Sequence, residues 1–286
     1  MILHETSNSL FSNNFYSTLF NMQQYLDALQ HILDHGKSKD TRGIHAIKST
    51  FGYQMRFDLR RGFPILTTKK MPFKIMVNEL MWFISGNTNT KWLNEHKIRY
   101  WNDFADKNGD LGPVYGYQWR QWPDYQGGHI DQLKDVIEEI KTQPDSKAML
   151  VSAWNPAQLK EMRLPPCHTF FQFNVTKNKL RMQLYQRSAD AFLGLPFNIT
   201  QYSLLLMIVA QLTGLEAREF IHTIGDLHLY QNHLEQAKKQ IKRQPKKRPL
   251  VWINPKIKDI DDFTADDFKL LNYDAHPHIK ADLVII

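Results

Sequence analysis

The sequence predicts a mixed α+β fold, and three observations carry that prediction. Segments of helical and of strand periodicity follow one another along the chain with no internal repeat. No Pro-, Gly- or Ser-rich linker divides the residues after position 22, so a single domain is expected there. The 286 residues are 42% hydrophobic and 12% aromatic, which is ample for one buried core.

Residues 1–21 stand apart. Met1 to Phe20 are rich in Ser, Asn and Phe without clean periodicity, and read as a poorly ordered extension before a domain over residues 22–286. The first helix runs from about Met22 to His35, with Tyr25, Leu26, Leu29, Ile32 and Leu33 on one face and Gly36 as its stop. Phe73 to Ile84 is a second helix, ended by Ser85-Gly86, and Ile130 to Lys141 a third, halted near Pro144. Met149 to Trp154, Phe170 to Val175 and Leu180 to Gln186 are β-rich, and Lys177-Asn178 between the last two signals a hairpin. Ile199 to Thr213 is apolar nearly all round and closed by Gly214, as a central buried helix would be. Glu219 to Ile224 reads as a strand, Asp226 to Lys242 as a helix and Pro249 to Ile253 as a strand.

Composition excludes several classes. The best apolar run, Ser203 to Leu212, is about half the roughly 20 residues that a membrane-spanning helix needs. Met1 to Asn8 lack the basic and apolar parts of a signal peptide. One cysteine leaves no intrachain disulfide, which fits a reducing, cytoplasmic setting. The formal charge of +7 favours anionic partners, either nucleic acid or small phosphorylated and polyglutamylated molecules. The basic cluster from Lys238 to Arg248 reads as solvated surface. No zinc spacing, aromatic RNA-binding motif or basic region with heptads supports a nucleic-acid module.

The lone cysteine lies in Leu164-Pro165-Pro166-Cys167-His168-Thr169, where two prolines fix the backbone at a strand entrance. An arbitrary single cysteine is more often a small buried hydrophobe than a nucleophile. With an ordinary thiol pKa near 8.5, Cys167 needs a cation or donor beside it to react, and Arg187 at the end of the hairpin strand is a plausible supplier.

Pro165-Pro166-Cys167-His168 is followed by Gln183 to Asp190 (QLYQRSAD) and Phe192 to Ile199 (FLGLPFNI). With Gly62 to Lys69 (GFPILTTK), Asn78 to Phe83 (NELMWF), Gly109 to Gly116 (GDLGPVYG) and Gly225 to Tyr230 (GDLHLY), these segments resemble the folate-dependent thymidylate synthases over about residues 22–286. The resemblance implies a large mixed β-sheet packed with helices, and a homodimer joined through the sheet face. It also implies reductive methylation of dUMP at C5, with 5,10-methylenetetrahydrofolate as co-substrate and no metal. Cys167 would add to C6 of the pyrimidine, turning C5 into a carbon nucleophile. Arg187 would favour the thiolate and contact the phosphate with Arg42, Lys147 and Ser188. Glu79 would organise proton transfer at O4, although a buried structural acid is the plainer alternative. Tyr115 and His168 would extend that network.

Asn198 would read the base, since an amide offers one donor and one acceptor to O4 and N3–H of uracil. Its structural alternative is the N-cap of the long helix. His228 and Tyr230 would hold the sugar hydroxyl. Asp190 would meet the pterin, with Trp101, Leu164, Leu193, Gly194 and Phe197 lining the folate cleft.

The departures gather on the phosphate side. Lys147-Ala148 replaces two adjacent arginines that the family donates across the dimer to the phosphate, and Arg42 is followed by Gly43-Ile44-His45-Ala46-Ile47 in place of a glycine- and threonine-rich loop. Pro72 and Phe104 stand where the family has histidine and a second tryptophan, and the tail Lys280 to Ile286 is one residue longer than usual. Two readings of the substrate therefore stay open: dUMP held by fewer arginines, or a related pyrimidine nucleoside or nucleotide with an altered 5′ group. A hydroxymethylase, or a regulatory RNA-binding protein on the same fold, are the rivals from other classes.

Overall fold

The computed structural model describes residues 21–40, 45–124 and 126–284. Among the described residues the first elements are helix α1 (Gln23–His35) and strands β1 (Lys37–Lys39) and β2 (Ile47–Asp58). Helices α2 (Phe73–Ile84), α3 (Thr90–Glu95) and α4 (Gly116–Arg120) follow, then the short pair β3 (Trp122–Pro123) and β4 (His129–Ile130). After α5 (Gln132–Thr142) come β5 (Leu150–Ser152), β6 (His168–Thr176) and β7 (Lys179–Asp190). Helix α6 (Gly194–Thr213), β8 (Glu216–Tyr230), α7 (Leu234–Ile241), β9 (Leu250–Ile253) and β10 (Phe268–Leu271) complete the order.

One six-stranded sheet, in the order β1-β2-β8-β7-β6-β5, carries the fold. Its pairs are antiparallel except β7 with β8, which run parallel and need a crossover; α6 supplies it. The expected large mixed sheet packed with helices is therefore present. Lys177 and Asn178 both take positive φ (49° and 59°) in the two-residue turn of the β6–β7 hairpin, as their sequence implied.

Helix α6 is the core helix. Leu204, Leu205, Leu206, Ile208 and Val209 are fully buried, and the helix packs on β7 and β8 on one side and α2 and α5 on the other. With 20 residues it is long and apolar enough to cross a bilayer, unlike the shorter run read from sequence, but most of it is enclosed by the protein. It starts five residues before the expected Ile199, because Pro196 falls in the first turn, where a missing N–H leaves no helical bond unmade. The cap position belongs to Leu193, so Asn198 lies inside the helix and the N-cap alternative falls away.

Two further expectations are corrected. Asp226 to Tyr230 is strand, not helix: β8 continues there between β2 (Ile47↔Tyr230) and β7 (Asp190↔His228), and only Leu234–Ile241 is α-helical. Pairing on both edges overrides the helical pattern. The long strand β2 was missed because Gly52, at φ 82°, interrupts its alternation. The expected extension falls mostly on residues outside those described.

Candidate active site

A cavity of about 420 Å³ opens between the ends of β6 and β7, the start of α6, helix α2 and the C-terminal tail. Its wall includes Glu79, Trp101, Tyr115, Leu164, Cys167, His168, Ser188, Asp190, Leu193, Gly194, Phe197, Asn198 and Tyr230, all of them marked by the sequence. Residues separated by more than 150 positions thus share one space.

Cys167 enters β6 half-buried. Its N–H donates to the Tyr115 hydroxyl at 3.0 Å. Tyr115 is held there by an unusual backbone, φ 40°, at the head of α4. The next residue must be glycine, because a Cβ on Gly116 would strike the Phe83 carbonyl. Arg187, on β7, donates from Nε to the Pro166 carbonyl (2.9 Å) and from Nη2 to that of Pro165 (2.7 Å). The same Nη2 stands 3.9 Å from Cys167 Sγ. Burial pushes the thiol pKa up, while the Arg187 charge and the Tyr115 hydroxyl pull it down; burial is the larger effect.

Glu79 is buried on α2, and both carboxylate oxygens accept: Oε1 from Trp101 Nε1 and Oε2 from Gln201 Nε2 (2.7 Å). Burial raises its pKa, and those hydrogen bonds oppose the rise. Trp101 is thus both a cavity wall and a partner of the acid. Gln201, one helical turn past Phe197 on α6, had no signal in the sequence beyond its place on a buried helix.

Asn198 donates from Nδ2 to His168 Nε2 (2.8 Å) and accepts at Oδ1 from Gln186 Nε2 (2.9 Å). Burial holds the His168 imidazole down at about 3, hence neutral, with the Arg187 charge adding to the effect. An amide has two donor hydrogens and two acceptor lone pairs, so one of each remains for the cavity. Asp190 Oδ1 accepts from the N–H groups of Phe192 and Leu193, which fixes the carboxylate at the turn into α6. Beneath it lies Lys69, almost fully buried, donating to the Phe192 carbonyl; burial lowers its pKa to about 7, against the pull of Asp190.

The tail covers one side. Ala281, Leu283 and Val284 line the cavity, and buried His233 is bonded through Nε2 to the Asp282 carbonyl at 2.8 Å.

Three expected residues do not line the cavity. His228 sits behind Tyr230 and is bonded to Asp226, whose carboxyl, despite burial, is held well below the usual range by His228, Lys39 and Ser49. Arg187 borders the thiol without lining the cavity. Lys147 is exposed before β5, near Met149, whose carbonyl accepts from the N–H of Phe173 beyond the middle of β6. Six residues of extended chain, roughly 20 Å at about 3.3 Å each, separate Phe173 from Cys167, so Lys147 does not reach its own chain's cavity. Arg42 lies outside the described residues.

A model of the thymidylate synthase family matches residues 23–285. The match carries folate-dependent methylation of a pyrimidine nucleotide at C5, with methylenetetrahydrofolate as co-substrate. It spans the whole described sheet and every residue of the cavity wall, and the chain belongs to the thymidylate synthase family.

Proposed function

We propose that the pyrimidine nucleotide is dUMP, and that the product is dTMP. The observation that carries this reading is the amide of Asn198, fixed with one donor and one acceptor left over in the same cavity as Cys167 and Glu79. Uracil presents N3–H and O4, which that pair matches.

In this reading Cys167 Sγ adds to C6 of the bound pyrimidine, and its thiol proton leaves as Arg187 stabilises the developing thiolate. Glu79, held by Trp101 and Gln201, manages protons at O4 through the polar end of the cavity. The folate supplies the one-carbon unit and the electrons that reduce it. Trp101, Leu164, Leu193 and Phe197 form an apolar wall that suits a flat ring, and Asp190 keeps Oδ2 for a donor at its edge. Tyr230 takes the sugar, with His228 orienting it from behind.

We also propose a homodimer through the outer sheet face, where Phe170 is exposed and stacks on Tyr185 with centroids 5.7 Å apart. Only a second copy can bring a Lys147 to the cavity. The altered-5′-group reading is favoured by that same distance, since Arg187 already gives two of its donors to backbone carbonyls. Turnover with methylenetetrahydrofolate, compared for dUMP and deoxyuridine and read by product mass, tests both. Formation of dTMP from dUMP, with deoxyuridine much poorer, is the expected result. Preference for the nucleoside would overturn the dUMP assignment, and a hydroxymethyl product would overturn the reductive one.

A further inference from the structure

Gln186, inside the QLYQRSAD segment but given no role there, and His222 complete a buried chain of hydrogen bonds ending on Asn198. His222 Nε2 lies 2.8 Å from Gln186 Oε1, and Gln186 Nε2 lies 2.9 Å from both the Ser188 carbonyl and Asn198 Oδ1. Asn198 Nδ2 then meets His168 Nε2 at 2.8 Å. All four side chains are buried, His222 completely.

The direction of this chain is not free. A carbonyl only accepts, so the Gln186 atom facing Ser188 must be the amide nitrogen. The second hydrogen of that nitrogen faces Asn198, which must answer with its oxygen. Asn198 therefore turns its nitrogen to His168, whose Nε2 accepts and whose proton sits on Nδ1. At the other end Gln186 Oε1 needs a donor, and the N–H of His222 is the group in place. Burial keeps His222 neutral, its pKa lowered to about 3, so one ring nitrogen donates and the other does not. Reversing Asn198 would set nitrogen against nitrogen at Gln186 and leave the neutral His168 to change tautomer.

Resting on the pyrimidine reading above, we propose that His222, acting through Gln186, is a positioning residue for base choice. It holds Asn198 with its free donor and acceptor in the order that uracil matches. Cytosine reverses that order, offering an acceptor at N3 and a donor at N4, and is refused for that reason. Neither His222 nor Gln186 needs to touch the reacting atoms for this.

The test compares kcat/KM for dUMP and dCMP in the wild-type protein, His222→Phe and His222→Gln. Phenylalanine keeps the ring and removes the donor, so the dUMP preference should fall about tenfold or more. Glutamine restores a donor and should recover most of that preference. A merely structural role would lower both rates together and leave their ratio unchanged, which would overturn the inference while leaving dUMP as substrate. A wild-type protein indifferent to the base overturns both the inference and the reading beneath it. If the variants fold poorly, the imidazole nitrogen shifts of the wild-type protein decide: His168 should carry its proton on Nδ1 and His222 on Nε2. The opposite tautomer at either histidine would overturn the proposal.

Discussion

Arg187 Nη2 stands 3.9 Å from Cys167 Sγ, held there by the carbonyls of the two prolines that precede the cysteine. The Pro-Pro-Cys segment thus positions its own cation. Prolines lack an N–H but keep a carbonyl, so both can serve the guanidinium without cost to any strand ladder. Burial still keeps the resting thiol pKa high.

Cys167→Ser should therefore remove turnover by several orders of magnitude while the fold and nucleotide binding persist. A hydroxyl is far less ionised than a thiol and attacks C6 poorly. Retention of more than about a tenth of the rate, only ~1.4 kcal/mol of barrier, would rule out covalent catalysis by this residue.

The thiol also has a pH signature. Because its pKa is raised, alkylation of Cys167 by iodoacetamide should speed up as pH climbs into the alkaline range. Arg187→Gln removes the opposing charge and should push the midpoint of that rise higher still. A midpoint that stayed in place or dropped would show that Arg187 does not support the thiolate.

Glu79→Gln should cost both activity and stability. The two oxygens of Glu79 accept from Trp101 and Gln201, so one of these donors would face an amide N–H instead of an acceptor. An unsatisfied buried group of this kind costs about 1–3 kcal/mol. Chemical denaturation measures this, and an unchanged midpoint would mean that the network rearranges freely.

Lys69 links pH to stability. Its folded pKa lies at about 7, below the ordinary lysine value of 10.5, so between these limits the unfolded chain holds a proton that the folded chain lacks. Stability should accordingly rise with pH across that window, relative to Lys69→Met, in which this contribution is absent. Parallel stability–pH curves for the two proteins would count against the buried, readily neutralised lysine.

Restoring the family's cations by Lys147→Arg with Ala148→Arg should tighten dUMP binding by ~1–3 kcal/mol if a second copy delivers them, and less at high salt. Deoxyuridine should gain nothing. An effect in a protein shown by ultracentrifugation to be monomeric would contradict the roughly 20 Å that separates the Lys147 end of β6 from Cys167.

Much of the site was legible because its residues sit in short, contiguous motifs. Cys167, Ser188 and Asp190 sit at strand ends and Asn198 early in α6, where local order places them. The hairpin was legible for the same reason, since Lys177-Asn178 determines its own turn. What escaped depends on pairing across the sheet. The helical periodicity of Asp226 to Tyr230 yields to ladders on both edges, and β2 hides behind Gly52. The roles of Gln186, Gln201, His222 and Lys69 escaped, even with Gln186 and Lys69 inside recognisable segments, because a buried hydrogen bond is a relation between distant residues and neither partner reveals it alone. Lys147, expected to act across a dimer, lies beside Met149 and away from its own chain's cavity, as a residue given to a second copy would.

The His233–Asp282 bond grips the tail by its main chain, not by a side chain. The anchor is consequently blind to which residues the tail carries. Substitutions at Ala281, Leu283 or Val284 can reshape the wall they present without loosening the clasp. Evolution can thus retune the inner surface of the tail with His233 as its fixed point.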